Sequence, residues 1–241
     1  MTSPVRRPAY DMAAAGCGSV RSTLAGLAVR FRAAGTLWLE AGRTLLVADL
    51  HLEKGSAYAA RGQMLPPYDT AETLTRLARE VEALDPACIV LLGDSFHDGD
   101  GEARLDGADV ARLVALTRGR DLVWIVGNHD ADGPRFMPGE VANELAIGRL
   151  VLRHEPQAGP RAEAAGHLHP SAKVAARGRT VRRRCFLTDG ERVVLPAFGA
   201  YAGGLNVRDV AFKGLFAGRP VAVTLGPERA HAIAWSMLAR D

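Results

Sequence analysis

Apolar residues gather into short continuous runs in some stretches of this chain and recur at helical spacing in others. Leu37–Leu39 and Thr44–Ala48 are short apolar runs on either side of Glu40–Arg43, which contains Gly42, and this predicts a hairpin. Thr70–Ala83 places Leu74, Leu77, Ala78 and Val81 on one helical face, with Asp69 as a candidate N-cap. Ala87–Leu92 is apolar throughout, the pattern of a strand buried on both faces. Asp106–Leu116 predicts a second helix and Asp121–Val126 another buried strand. The second half differs. Val151–Arg153, Thr180–Leu187, Arg192–Leu195, Val221–Leu225 and Ala230–Trp235 predict strands with few helices between them, hence a second sheet packed on the first.

Three of the first-half strands run directly into polar residues: Asp49, Asp94 and Asn128. In an open α/β sheet, ligands bind at the carboxyl ends of strands. The pattern therefore directs attention to these three ends.

Composition narrows the picture. A chain of 241 residues, 48% of them hydrophobic, suits one domain, which we place at 21–241 with residues 1–20 as a loose, disordered tail. Arg6 and Arg7 resemble the start of a signal peptide, but Asp11 interrupts what would be its apolar core. With no run long enough to span a bilayer, a cytoplasmic protein without membrane contact is expected. Cys17, Cys88 and Cys185 are isolated, which argues against a disulfide framework or a thiolate zinc site. The net charge of +3 is uninformative without its distribution, and 6% aromatics argue against a stacking platform for single strands.

The chemistry concentrates in the seven histidines, six of which lie beside Asp, Asn, Glu or Gly at expected strand ends. Asp49-Leu50-His51 offers a carboxylate and an imidazole on alternate positions, pointing the same way if extended geometry continues. Gly93-Asp94 and Gly127-Asn128-His129-Asp130 end the next two strands, followed by His154 and by Gly166-His167-Leu168-His169. Carboxylate, amide and imidazole ligands without thiolate suit manganese, iron, zinc or magnesium. There are too many ligands for one tetrahedral ion, so two divalent metals are expected. Such a pair would neutralise an anionic phosphate ester and acidify a bound water.

In this order, these motifs resemble the signature of the calcineurin-like metallophosphoesterases, across roughly Asp49 to His169. The resemblance implies a four-layer αββα sandwich. It implies one metal on Asp49, His51, Asp94 and His169, with Asp94 bridging to a second held by Asn128, His154 and His167. A metal-bridging hydroxide would be the nucleophile. His129 falls outside the metal set and is a candidate to protonate the leaving oxygen or stabilise the phosphoryl oxygens. Asp130 is a candidate to orient the His129 ring, and His97 to touch substrate or position the leaving group. Asp98, Asp100 and Glu102 read as solvated loop charges.

A narrower resemblance, to the ligase-associated DNA damage response endonuclease family PdeM, runs from Ala48–Lys54 through Gly93–Asp98, Arg153–Pro156, Gly166–Pro170 and Arg182–Phe186 to Leu195–Tyr201. It implies a manganese-dependent DNA phosphodiesterase or endonuclease working beside an ATP-dependent DNA ligase and a helicase in repair. The N-terminal residues depart from that family as an apparent extension. Lys173, Arg177, Arg179, Arg182, Arg183 and Arg184 follow the last motif, and Arg182, Arg183 and Arg184 are expected to hold substrate phosphates. The alternative is a phosphoesterase acting on small molecules or cyclic nucleotides.

Overall fold

A computed structural model describes residues 12–176 and 179–241. The first sheet begins with β1 (Ala13–Ala14), β2 (Val20–Leu24), β3 (Leu27–Phe31), β4 (Leu37–Leu39) and β5 (Thr44–Val47), each antiparallel to the one before it. After α1 (Lys54–Ala59) and α2 (Asp69–Leu84) comes β6 (Cys88–Leu92). Then follow α3 (Gly101–Arg104), α4 (Gly107–Leu116), β7 (Asp121–Ile125) and β8 (Glu140–Ala142). From β5 to β8 the pairing is parallel: helices carry the chain back over the sheet between β5 and β6 and between β6 and β7, and the irregular segment 126–139 does so before β8.

The apolar runs of β5, β6 and β7 split by alternation. Leu46, Val90 and Val123 face the second sheet, while Leu45, Ile89 and Leu122 face Leu74 and Leu77 of α2 and Leu113 of α4. Both faces are buried, which is why the runs are apolar throughout. Each such side chain contributes about 1.5–3 kcal/mol.

The second sheet comprises β9 (Glu144–Ile147), β10 (Leu150–Arg153), β11 (Glu163–Ala165), β12 (Pro170–Ala176), β13 (Arg179–Thr188), β14 (Arg192–Val194), β15 (Leu205–Asn206), β16 (Val221–Leu225), β17 (Ala230–Ala234) and β18 (Leu238–Ala239). Its inner face meets the first sheet through Leu150, Leu152, Phe186, Val193 and Val223. Its outer face, with Cys185, Leu187 and Ala222, is covered by Phe212 and Leu215. The layer order is thus helices, sheet, sheet and a fourth layer that is irregular. In that fourth layer the segment after β15 carries only a single 3₁₀ turn at Val210–Phe212, since Gly214, Gly218 and Pro220 deny it a helical period.

Several local expectations change. Residues 1–11 lie outside the described residues, but the segment after them is not loose: Ala13 and Ala14 pair with Arg21 and Val20, and Ser19 is buried. The Ala13–Ala14 run is too short to show a pattern, so pairing decided it. Asp69 is the first residue of α2 rather than its cap, and its carboxylate accepts from the Gly55 amide at 3.1 Å. Asp106 does cap α4, accepting from the Asp109 amide at 2.7 Å.

Candidate metal centre

The strand ends are tied together through their backbones. The Asp49 amide donates to Gly93 O at 3.2 Å, and the His51 amide to Asp94 O at 2.9 Å. The chain does not stay extended beyond β5. Asp49 and His51 both take left-handed φ values, +54° and +45°, as do Asp94 (+46°), His167 (+67°) and His169 (+44°). Such conformations cost about 1–3 kcal/mol each and persist only where the surroundings enforce them. Here tight turns at successive strand ends bring side chains from five loops to one place. Two glycines make room. A Cβ on Gly93 would lie 2.3 Å from His154 Nδ1, and one on Gly166 would lie 2.5 Å from Asp49 Oδ2.

Two groups of donor atoms result: Asp49, His51 and His169 form one, and Asp94, His154 and His167 the other. In the first, His51 Nε2 and His169 Nε2 are 3.3 Å apart, and His169 Nε2 is 3.2 Å from Asp49 Oδ1. In the second, His154 Nε2 is 3.2 Å from His167 Nδ1 and 3.4 Å from Asp94 Oδ1. Asn128 Oδ1 joins this group at 3.0 Å from His154 Nε2 and 2.9 Å from His167 Nδ1. Ligands about 2.1 Å from one ion lie ~3–3.4 Å from each other, so both sets have the spacing a shared cation requires. Asp94 stands between them, with Oδ2 3.9 Å from His51 Nε2.

The supporting bonds select the right lone pairs. His154 Nδ1 donates to Leu92 O at 3.0 Å, leaving Nε2 to face the site. Both Asp49 oxygens accept from the His167 amide, and Asp94 Oδ1 accepts from the His129 amide. Burial, then the neighbouring His169, His129 and His97, push His51 down to about 2. Burial likewise lowers His167 and His97, and raises the Asp94 carboxyl. The imidazoles are thereby kept neutral, the form that binds metal.

His129 is half-open to solvent beside this cluster. Its Nδ1 donates to the His97 carbonyl at 2.8 Å, and its Nε2 lies 4.0 Å from Asp94 Oδ2. The ring that orients His129 by stacking is His97, at 5.4 Å between centroids. Asp130 does not orient it. Its buried carboxylate instead accepts from the backbone amides of Asp94, Ser95, Phe96 and Gly127, at 2.7–3.2 Å. That staples the Asp94 turn to the Gly127 turn, so Asp130 acts on the position of the Asp94 carboxylate.

The arginines of β13 also differ from expectation. Arg182 bonds Ser171 Oγ and Gly204 O and pairs with Asp241 at 3.1 Å. Arg184 is half-buried and donates to the carbonyls of Ala197 and Gly199, at 2.8 and 3.2 Å. Those residues pack behind Asp49: the Phe198 amide donates to Ala48 O and the Gly199 amide to Asp49 O. Arg183 points outward and, among the described residues, bonds only the Arg182 carbonyl. Alternation along a strand places 182 and 184 on one face and 183 on the other, and the inner face was already lined with carbonyls to satisfy. Arg177 lies outside the described residues.

Sequence reading also missed supporting acids. Glu102 accepts from the amides of Arg135, Phe136 and Met137 at 2.7–2.8 Å, and Asp98 pairs with Arg104, so neither is merely solvated. Fully buried Glu163 pairs with Arg192 at 2.9 Å, and Arg192 donates to Gln157 O and Gly159 O, fixing the loop after His154. The capping-type spacing that would have revealed these residues is absent, since their partners are remote in sequence.

Clefts of 330 and 390 Å³ flank Asn128, one walled by His129, Arg135 and Phe136 and the other by His154, Glu155 and Arg153. The family model for calcineurin-like phosphoesterases matches residues 42–172, more than half of the chain and the span that contains all seven candidate ligands. Among solved structures, Pseudomonas putida nuclease MPE is similar at 27% identity and a TM-score of 0.67, covering 93% of this chain and 100% of its own. The phosphoesterase YfcE from E. coli aligns at 14% identity and a TM-score of 0.40, over 79% of this chain and 98% of its own. No curated protein sequence matches the chain. Among the described residues, no helix is long and apolar enough to cross a membrane.

Proposed function

The chain belongs to the calcineurin-like phosphoesterase family and is a metal-dependent phosphoesterase, and from that premise we propose that it is a two-metal nuclease cleaving DNA phosphodiesters. The observation that carries this reading is the pair of donor groups with Asp94 between them and His129 Nε2 open beside them. The nuclease similarity favours a polymer substrate.

The donor set fits a pair of hard or borderline divalent cations, manganese before iron, zinc or magnesium. When bound, such ions would neutralise the diester's charge and supply an acidified water as nucleophile. Asp49, His51 and His169 would hold one, and Asn128, His154 and His167 the other, with Asp94 shared. The chain's own proton chemistry rests on His129. Its Nδ1–H is committed to the His97 carbonyl, so any second proton resides on Nε2, the atom facing the site. From there it would pass to the departing alkoxide oxygen. Asp130 holds Asp94 in place throughout, and the loop fixed by Glu102 closes one side of the cleft.

The cellular reading follows from the resemblance to the ligase-associated endonucleases: a cytoplasmic DNA repair enzyme working with an ATP-dependent ligase and a helicase. Purified protein with manganese, presented with supercoiled plasmid, RNA, mononucleotides and bis-nitrophenyl phosphate, tests the activity. Nicking or linearisation of plasmid is expected. Turnover of mononucleotides with intact plasmid would instead establish the small-molecule alternative. Co-purification with a DNA ligase tests the partner.

A further inference from the structure

The strongest unassigned feature is a groove on the outer side of the second sheet. Two adjoining clefts of 410 and 190 Å³ share Phe212, Lys213 and Trp235. Arg208 and Arg240 line the larger, and Arg219 lines the smaller. Arg208 is anchored: its guanidinium stacks 4.1 Å over the Trp235 ring and donates to the carbonyls of Trp235 and Leu238 at 2.6 and 3.1 Å. Lys213, Arg219 and Arg240 are exposed and form no ion pair or side-chain hydrogen bond among the described residues. The one acid in the walls, Asp209, has its carboxylate on the Ala211 amide at 2.9 Å. The neighbouring Asp241 is engaged by Arg182. Arg240 and Arg219 lie close enough to Arg208 to lower its affinity for a proton, second only to burial. Four cations share these walls with one carboxylate, so the groove carries an excess of positive charge that an anion would offset.

The groove is directly connected to the candidate metal centre. The Leu205 amide donates to the carbonyl of His169 at 3.0 Å, and the Val207 amide to Ser171 O at 2.9 Å. Arg208 therefore follows within three residues of a bond to a candidate ligand, at most ~10 Å of extended chain. Resting on the nuclease reading above, we propose that the groove walled by Arg208, Lys213, Arg219, Arg240 and Trp235 is an exosite for the phosphate backbone of the nucleic-acid strand whose scissile diester occupies the metal centre. The arginine-rich strand β13 is mostly tied into the fold, whereas Lys213, Arg219 and Arg240 form no side-chain bond among the described residues.

The test uses the full-length protein in EDTA, so that binding is measured without cleavage, with a fluorescent DNA oligonucleotide across a salt series. Arg219→Ala/Arg240→Ala removes two exposed, unpaired side chains and is expected to retain the melting temperature. Losing two phosphate contacts should flatten the slope of log affinity against log salt by about 1.4–1.8. If affinities converge at 1 M, that is about a 25–60-fold loss at 0.1 M salt. Arg79→Ala/Arg118→Ala removes the same charge from the helical side and should leave the slope alone. An unchanged slope in the groove variant, or an equal loss in the helical variant, would overturn the exosite while plasmid cleavage upheld the nuclease reading. Polyglutamate displacing DNA at matched charge would also overturn the nucleic-acid assignment. Absence of both DNA binding and DNA cleavage in the unaltered protein would overturn the nuclease reading, and the exosite with it.

Discussion

The candidate metal centre and the cationic groove are both clusters of chemically similar side chains, yet they are built in opposite ways. In the centre, the two carboxylates and His154 are each held by a further group, and the Asp94 turn by another. His154 is aimed by Leu92 O, Asp49 by the His167 amide, Asp94 by the His129 amide, and the Asp94 turn by Asp130. In the groove only Arg208 is held, while Lys213, Arg219 and Arg240 reach into solvent. The contrast follows from the task. Bond-breaking chemistry depends on positions fixed to fractions of an ångström before substrate arrives. Binding a repeating phosphate backbone depends on charge density, which flexible side chains supply adequately.

The sharpest way to break this comparison is Asp94→Ala. Turnover should vanish and manganese binding at both proposed sites should weaken, because the carboxylate lies between both donor groups. Calorimetric titration that still finds two ions at undiminished affinity would rule out the shared carboxylate.

His129→Ala comes next. The rate on a plasmid should fall about 10²–10⁴-fold with metal content unchanged. The loss should shrink on a nitrophenyl ester, whose leaving group needs no proton. Equal losses on both substrates would move His129 from proton donor to phosphoryl contact.

Asp130→Ala sharpens the contrast between held and free groups. Its carboxylate satisfies four backbone amides, and stranding buried donors costs about 1–3 kcal/mol each, less whatever water recovers. Urea unfolding of the metal-free protein should therefore show a loss of several kcal/mol, where an exposed variant such as Arg219→Ala shows almost none. A small loss for Asp130→Ala would mean that the two turns hold themselves.

The pH response of the metal-free protein is a smaller effect. His51, His97 and His167 are held below their ordinary value by burial, so the unfolded chain binds protons first as pH falls below about 6.5. Their contribution is fully present above that pH and is lost progressively on acidification, for His51 down towards about 2. Asp94, raised by burial, acts in the opposite sense, favouring the fold at low pH until its proton leaves. Three groups against one predict a melting temperature that drops from pH 7.5 to pH 5. A flat profile would show that these rings are more hydrated than their burial implies.

The smallest predicted effects lie within β13. Arg184→Ala should lower the melting temperature by freeing the carbonyls of Ala197 and Gly199 behind Asp49. Arg183→Ala should leave it unchanged and alter the DNA salt slope by at most about 0.7–0.9. The reverse order would restore β13 as a phosphate-binding strand.

The sequence by itself determined the buried strands of the first sheet, the helix beginning at Gly107, and the identities of the residues that gather at the strand ends. Its signals there are local. An apolar run followed by a polar ligand reports a strand end, and histidine beside aspartate or asparagine reports its chemistry. Tertiary structure alone decided the rest, because the deciding partner is remote. Asp130 reads as a strand-end carboxylate until the amides of residues 94–96 come within reach of it, 34 to 36 positions away in sequence. Arg184 reads as a free cation until the carbonyls of residues 197–199 fold beneath it. The groove has no motif at all, because strand pairing assembles positions 208, 213, 219 and 240. A charge acts through space, so its role depends on which acids, carbonyls and other cations the fold brings near it, and sequence order does not record that.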